Sequence, residues 1–136
     1  MTALIVDVAN VVGSRPDGWW RDRAGAAARL RGRLTALWGA TLPGPDGPVR
    51  VAEVVAVVEG QAREGPAPDG VRVVRAPRSG DDALVEWADR LAAAGVPALV
   101  VTADRGLRER LPAATAVAGP GWLLARLDEI DGAPPG

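Results

Sequence analysis

A chain of 136 residues with 48% hydrophobic content and a formal net charge of −1 is sized for one compact domain that buries about two-thirds of the surface its unfolded form exposes. It has no cysteine and no histidine, and all 16 of its basic residues are arginine. Those absences exclude disulfides, Cys/His zinc sites, Ser-His-Asp and Cys-His nucleophiles, Schiff-base chemistry and the lysine of a Walker phosphate loop, and leave carboxylates, hydroxyls, amides, arginine and hard cations.

Ala3 to Val8 is a short apolar run dense in β-branched residues and reads as a strand buried on both faces. No basic segment precedes it, so it does not read as a signal peptide, and no apolar stretch approaches the ~20 residues of a membrane span. A cytoplasmic protein is expected. After the Pro16-Asp17-Gly18 turn, residues 19–38 carry a helical stripe of Ala27, Leu30, Leu34, Leu37 and Trp38. Gly39 to Pro48 reads as a Gly/Pro-rich loop, Val51 to Val58 as a second strand and Gly60 to Gly70 as another loop. Val71 to Ala76 is a third strand. A helix over 81–94 places Leu84, Ala88 and Leu91 on one side before Gly95 stops it. Ala98 to Thr102 is a fourth strand, 104–111 a short helix, Ala114 to Ala118 a fifth strand, and Pro120 opens the last helix. Residues 1–130 form a single domain in this reading, with 131–136 a flexible tail. The alternation predicts an α/β fold: a three-layer α/β/α sandwich around a mainly parallel five-stranded sheet joined by right-handed crossovers.

Ligands of such sheets bind beyond the carboxyl ends of the strands, near the point where strand order reverses. Asp7 ends the first strand, Glu59 follows the second, Asp81 and Asp82 open the helix after the third, and Asp104 opens the helix after the fourth. All five are expected at that one edge. Carboxylates converging without a cationic partner repel one another, and a divalent cation relieves this; oxygen-only ligands favour Mg²⁺ or Mn²⁺. Asp81 precedes the inward Leu84, Ala88 and Leu91, which favours it over Asp82 as the inward-leaning acid. The plainer reading is that acids at helix starts are caps, and Ser79 with Asp82 resembles a capping box. Asp7 resists it, because a carboxylate at the end of a buried strand is costly unless paired or metal-bound. Arg23 falls on the inward stripe of the first helix and reads either as a phosphate contact or as a salt bridge to a cluster acid. Arg15, Arg78 and Arg105 lie in adjoining loops or helix starts. Trp19 and Trp20 read as a base-stacking pair or as core anchors, and Trp38, Trp87 and Trp122 as packing residues. The first 50 residues carry a charge of +3 and the remainder −4, so a basic patch is compatible with the acidic sequence pI of 5.4.

Three motifs carry a resemblance. Leu4-Ile5-Val6-Asp7-Val8-Ala9-Asn10-Val11-Val12-Gly13 resembles the opening motif of NYN domains in the PIN-like nuclease superfamily, which delivers Asp and, three residues on, Asn. Ser79-Gly80-Asp81-Asp82 is similar to the superfamily's intervening acidic motif, and Val100-Val101-Thr102-Ala103-Asp104-Arg105-Gly106-Leu107 to its fourth-strand motif. The resemblance spans residues 3–130. It implies a PIN-like, Rossmannoid fold and a metal-dependent ribonuclease that hydrolyses phosphodiester bonds, with RNA as partner and no membrane. It further implies Asp7, Asp81, Asp82 and Asp104 as ligands of Mg²⁺ or Mn²⁺, Asn10 as the residue that orients Asp7 or a phosphate, and Glu59 where related sequences place Asp. Arg23, Arg78 and Arg105 would grip substrate phosphate. Such proteins often dimerise, so a homodimer is allowed, although no exposed helical stripe specifies one. Two other functions stay open. A nucleotide phosphohydrolase of the haloacid-dehalogenase kind wants a second Asp where Ala9 stands, and a lysine. A non-catalytic RNA-binding or interaction module would be expected to have lost one or more of the acids.

Overall fold

In a computed structural model, residues 1–15, 18, 21–59, 70–76 and 80–131 are described. The order is β1 (Thr2–Asp7), α1 (Val8–Val12), α2 (Arg23–Leu34) running into a 3-10 turn (Thr35–Leu37), β2 (Thr41–Gly44), β3 (Gly47–Val58), β4 (Val71–Arg75), α3 (Gly80–Ala93), β5 (Ala98–Val101), α4 (Arg105–Arg110), β6 (Ala116–Ala118) and α5 (Pro120–Asp131). β4, β3, β1, β5 and β6 are parallel neighbours in that order. The sheet is mainly parallel, and the fold is α/β.

Side-chain alternation sorts the core onto two faces. Leu4, Val6, Val54, Ala56, Val58, Leu99 and Val101 meet α1, α2 and α5 through Val11, Ala27, Leu30, Leu34, Leu123 and Leu127. Ala3, Ile5, Val55, Val57, Ala98 and Val100 meet α3 and α4 through Leu84, Ala88, Leu91 and Leu107. Every residue from Ala3 to Val8 is buried, as a strand covered on both sides requires. The helix of β1's crossover to β3 and the helix leading into β5 therefore lie on opposite faces. Strand order reverses between β1 and β5, which opens the crevice expected of a doubly wound sheet between the ends of these two strands.

The structure departs from the sequence expectations at several points. The sheet has six strands rather than five, and it is mixed and curled rather than a plain central layer. The added strand, β2, lies in the stretch expected as a loop, and pairs antiparallel with the start of β3 from Thr41↔Arg50 to Gly44↔Gly47. The reversal depends on Gly47, whose φ of 118° is open to glycine and strained for other residues. α1 begins directly after Asp7, where the apolar run continues but the chain has left the sheet. The long first helix is shorter than its stripe: it starts at Arg23 on an Asp22 cap, and Trp38 lies past its end in extended backbone. Trp38 is 59% exposed rather than packed, lying against Gly70. Asp131, assigned to the flexible tail, is the last residue of α5 and is ion-paired to Arg33 at 2.8 Å. Residues 132–136 lie outside the described residues.

Candidate active site

Asp7 is the last residue of β1 and the cap of α1. Its Oδ1 accepts from the Asn10 backbone N–H at 3.3 Å, and its Oδ2 accepts from the Thr102 hydroxyl of the β5 exit at 3.1 Å. It is only 8% exposed. Burial pushes its carboxyl up to about 6; the Asn10 and Thr102 hydrogen bonds oppose the shift, and the nearby Asp81 and Glu59 charges add to it. A group titrating there can take up or release a proton near neutral pH.

The β5 exit is locked to the same point. Thr102 is fully buried, and while its hydroxyl donates to Asp7 it accepts from the Asp104 backbone N–H at 3.2 Å. Asp104 caps α4 by accepting from the Leu107 N–H at 3.1 Å, and Arg108 donates to the Thr102 carbonyl at 3.0 Å. The Asn10 side chain accepts from the Ala103 N–H at 2.9 Å. Asn10 therefore ties α1 to the β5 loop with its amide oxygen and reaches Asp7 only by donating its backbone N–H.

Glu59, just past β3, accepts from the Gly80 N–H that opens α3. A side chain at position 80 would bring its Cβ to 3.1 Å from Glu59 Oε2 and 3.4 Å from Val57, so glycine is what lets the helix start approach this closely. The next two residues diverge. Asp81 is half-buried, and its carboxyl is held above the ordinary carboxylate range by burial and then by the charges of Asp104 and Glu59; the Arg110 charge opposes this. Asp82 points to solvent and pairs with Arg110 at 2.6 Å. The side-chain direction expected for the pair is the one found.

Asp7 thus feels the charges of Asp81 and Glu59, and Asp81 those of Asp104 and Glu59, while Asp82 is turned out to Arg110. Among the described residues, no three carboxylates stand close enough in their present rotamers to share a metal ion. Asp7, Glu59 and Asp104 each turn an oxygen onto a backbone N–H, which disperses them. The donor set itself, carboxylates and one hydroxyl, suits a hard divalent cation.

Two crystal structures of Rae1 (YacP) from Bacillus subtilis share this fold. One, of a point mutant, aligns at TM-score 0.74 and 17% identity over 97% of this chain and 78% of that one. The other aligns at 0.64 and 15% over 97% and 76%. No protein-family model matches the chain, and no curated protein matches its sequence.

Arg23 is exposed at the first residue of α2, one turn outside the inward stripe where its spacing put it, and Arg105 is exposed at the start of α4. Arg78, Ser79, Trp19 and Trp20 lie outside the described residues. Arg15 pairs with Asp128 of α5 at 2.8 Å. Trp122 donates to the Pro43 carbonyl at 2.9 Å, and Trp87 is flanked by Arg72 and Arg90 at 5.4 and 5.6 Å from its ring centre. No described helix is long and apolar enough to cross a membrane. Sequence reasoning missed two residues. Thr102 was visible as a hydroxyl ending an otherwise aliphatic strand, two positions before Asp104. Arg110 had no signal, because only the packing of α4 against α3 brings it to Asp82.

Proposed function

We propose that this chain is a metal-dependent ribonuclease of the PIN-like superfamily, an NYN-type three-layer α/β/α domain that hydrolyses RNA phosphodiester bonds with Mg²⁺ or Mn²⁺. Asp7, Asp81 and Asp104 would hold the ion, with Glu59 beside them. The observation that carries this reading is a buried Asp7 at the reversal point of the strand order, its carboxyl raised first by burial and then by the charges of Asp81 and Glu59, beside an Asp81 raised by burial and then by Asp104 and Glu59. Carboxylates raised by burial and by one another at a sheet edge of this kind are characteristic of functional sites. The shared fold with Rae1 supports the architecture. A bound ion would polarise the phosphoryl group and lower the pKa of a coordinated water. The chain's own residues fix the frame: Thr102 holds Asp7, Asn10 holds the Ala103 loop, and Arg108 ties α4 to the end of β5.

The test is cleavage of single-stranded and structured RNA with Mg²⁺ or Mn²⁺. Wild-type protein and Asp82→Asn are expected to cleave; Asp7→Asn, Asp81→Asn and Asp104→Asn are not. Equal cleavage in EDTA or by Asp7→Asn would sink the proposal. A second reading, a non-catalytic RNA-binding module, has one observation in its favour: Asp7, Glu59 and Asp104 already serve as caps. RNA binding without turnover across both metals would establish it instead.

A further inference from the structure

A cleft of about 210 Å³ lies between α1, α2 and α5, separate from the acidic crevice. Its floor is aliphatic, formed by Val11, Val12, Ala26, Leu30 and Leu124, and its rim carries Arg15, Arg29 and Arg33. Two rim arginines are already engaged: Asp128 accepts from Arg15 at 2.8 Å and from Arg33 at 2.9 Å, and Asp131 accepts from Arg33 at 2.8 Å. Both arginines hold the Asp128 carboxyl below the usual range, so it stays ionised and competes for them at any working pH. Arg29 takes part in none of the ion pairs among the described residues. Three guanidiniums against two carboxylates leave the rim positive, in a chain whose overall charge is −1.

We infer that this cleft is a subsite for one nucleotide of a single-stranded RNA, with base and ribose on the aliphatic floor and phosphate on Arg29 and Arg15. An inorganic anion would use the rim and leave the floor idle, whereas a nucleotide uses both. The volume is below the ~300 Å³ at which pockets for whole small molecules begin, so the cleft suits a segment of a longer chain rather than a free cofactor. Its position fits. Asp7 caps α1, and Val11 and Val12 lie four and five residues on, about 6–8 Å along the helix. A strand seated here lies within a short reach of the acids. The exposed ion pairs of Asp128 are cheap to exchange for a phosphate, since such pairs are worth little in water. The inference builds on the ribonuclease reading but is tested without turnover.

The experiment is anisotropy of a labelled ten-nucleotide oligouridine, titrated in EDTA with wild-type protein, Arg29→Glu, Asp128→Ala and a distant charge reversal, Arg90→Glu, each checked for folding by circular dichroism. Arg29→Glu is expected to weaken binding about tenfold and to flatten the salt dependence by about 0.7 of a log unit per log unit of salt. Asp128→Ala is expected to tighten binding by releasing Arg15 and leaving Arg33 with Asp131 alone, a gain that a merely structural ion pair would not give. Arg90→Glu should bind as wild type. Unchanged affinity in Arg29→Glu, or weaker affinity in Asp128→Ala, would overturn the subsite. Equal competition by inorganic phosphate and by uridine 5′-monophosphate would overturn the nucleotide assignment. If Asp7-dependent cleavage is seen while Arg29→Glu binds normally, the subsite fails and the nuclease reading stands; Arg29-dependent binding without cleavage gives the reverse.

Discussion

Replacing Asp7 by Asn should stabilise the protein at neutral pH while abolishing the proposed metal-dependent cleavage. In the folded chain the Asp7 carboxyl titrates at about 6, against 3.8 for the ordinary group. Between those values the folded protein holds a proton that the unfolded chain has released. The stabilisation linked to this group is therefore complete below pH 4 and is lost as pH rises through 6. A shift of about two units corresponds to roughly 3 kcal/mol, which the ionised wild type forgoes at pH 7.5. Asn carries no charge to desolvate. Its Oδ1 can keep the Asn10 N–H, but its amide meets a Thr102 hydroxyl that now donates to Asp7, so the hydroxyl must turn, at a cost of about 1 kcal/mol. The net gain is about 2 kcal/mol at pH 7.5, or roughly 6 °C in Tm, vanishing near pH 4. Urea denaturation of both proteins from pH 4 to 8 in EDTA measures the difference directly, because the other titrating groups are common to both. A difference flat with pH, or a less stable variant at pH 7.5, would refute the assignment of Asp7 as a buried and strained carboxylate.

Other outcomes follow from the same network. Thr102→Val keeps the shape but removes a donor from ionised Asp7, so the Asp7 carboxyl should rise above 6 in a ¹³C-detected NMR titration, with about 2 kcal/mol lost at pH 7.5 and less at pH 4. Mn²⁺ should raise the Tm of the wild type and of Asp82→Asn in differential scanning fluorimetry, and should leave Asp7→Asn unmoved; an equal rise in all three would place the ion elsewhere. Gly80→Ala should cost about 1 kcal/mol despite alanine's better helix propensity, because Glu59 is held by the very N–H beside the new methyl. Chemical denaturation would expose the opposite sign.

The sequence made the five parallel strands legible through their β-branched runs, and the acids through their place after each strand. Asp81 was separable from Asp82 because helical periodicity fixes which of two adjacent side chains shares a face with Leu84. What stayed hidden was of three kinds. β2 was masked because Gly, Pro and Asp are as common in hairpins as in loops. Trp38 was misplaced because a helical stripe does not announce where the helix stops. The caps on Asp7, Glu59 and Asp104, which spread the acids apart, depend on side-chain rotamers that residue spacing does not encode.

The bond from Thr102 to Asp7 joins positions 95 apart in the chain. During synthesis the first strand is finished long before its neighbour β5 exists, and until residue 102 emerges Asp7 has neither its hydroxyl partner nor the Asp104 turn beside it. Closing so long a loop is a late step in folding. Asp7 is consequently held in place only when β5 has docked beside β1. A nascent or truncated chain holds Asp7 but not the hydroxyl and turn that fix it, so the environment of this carboxyl is a property of the whole domain.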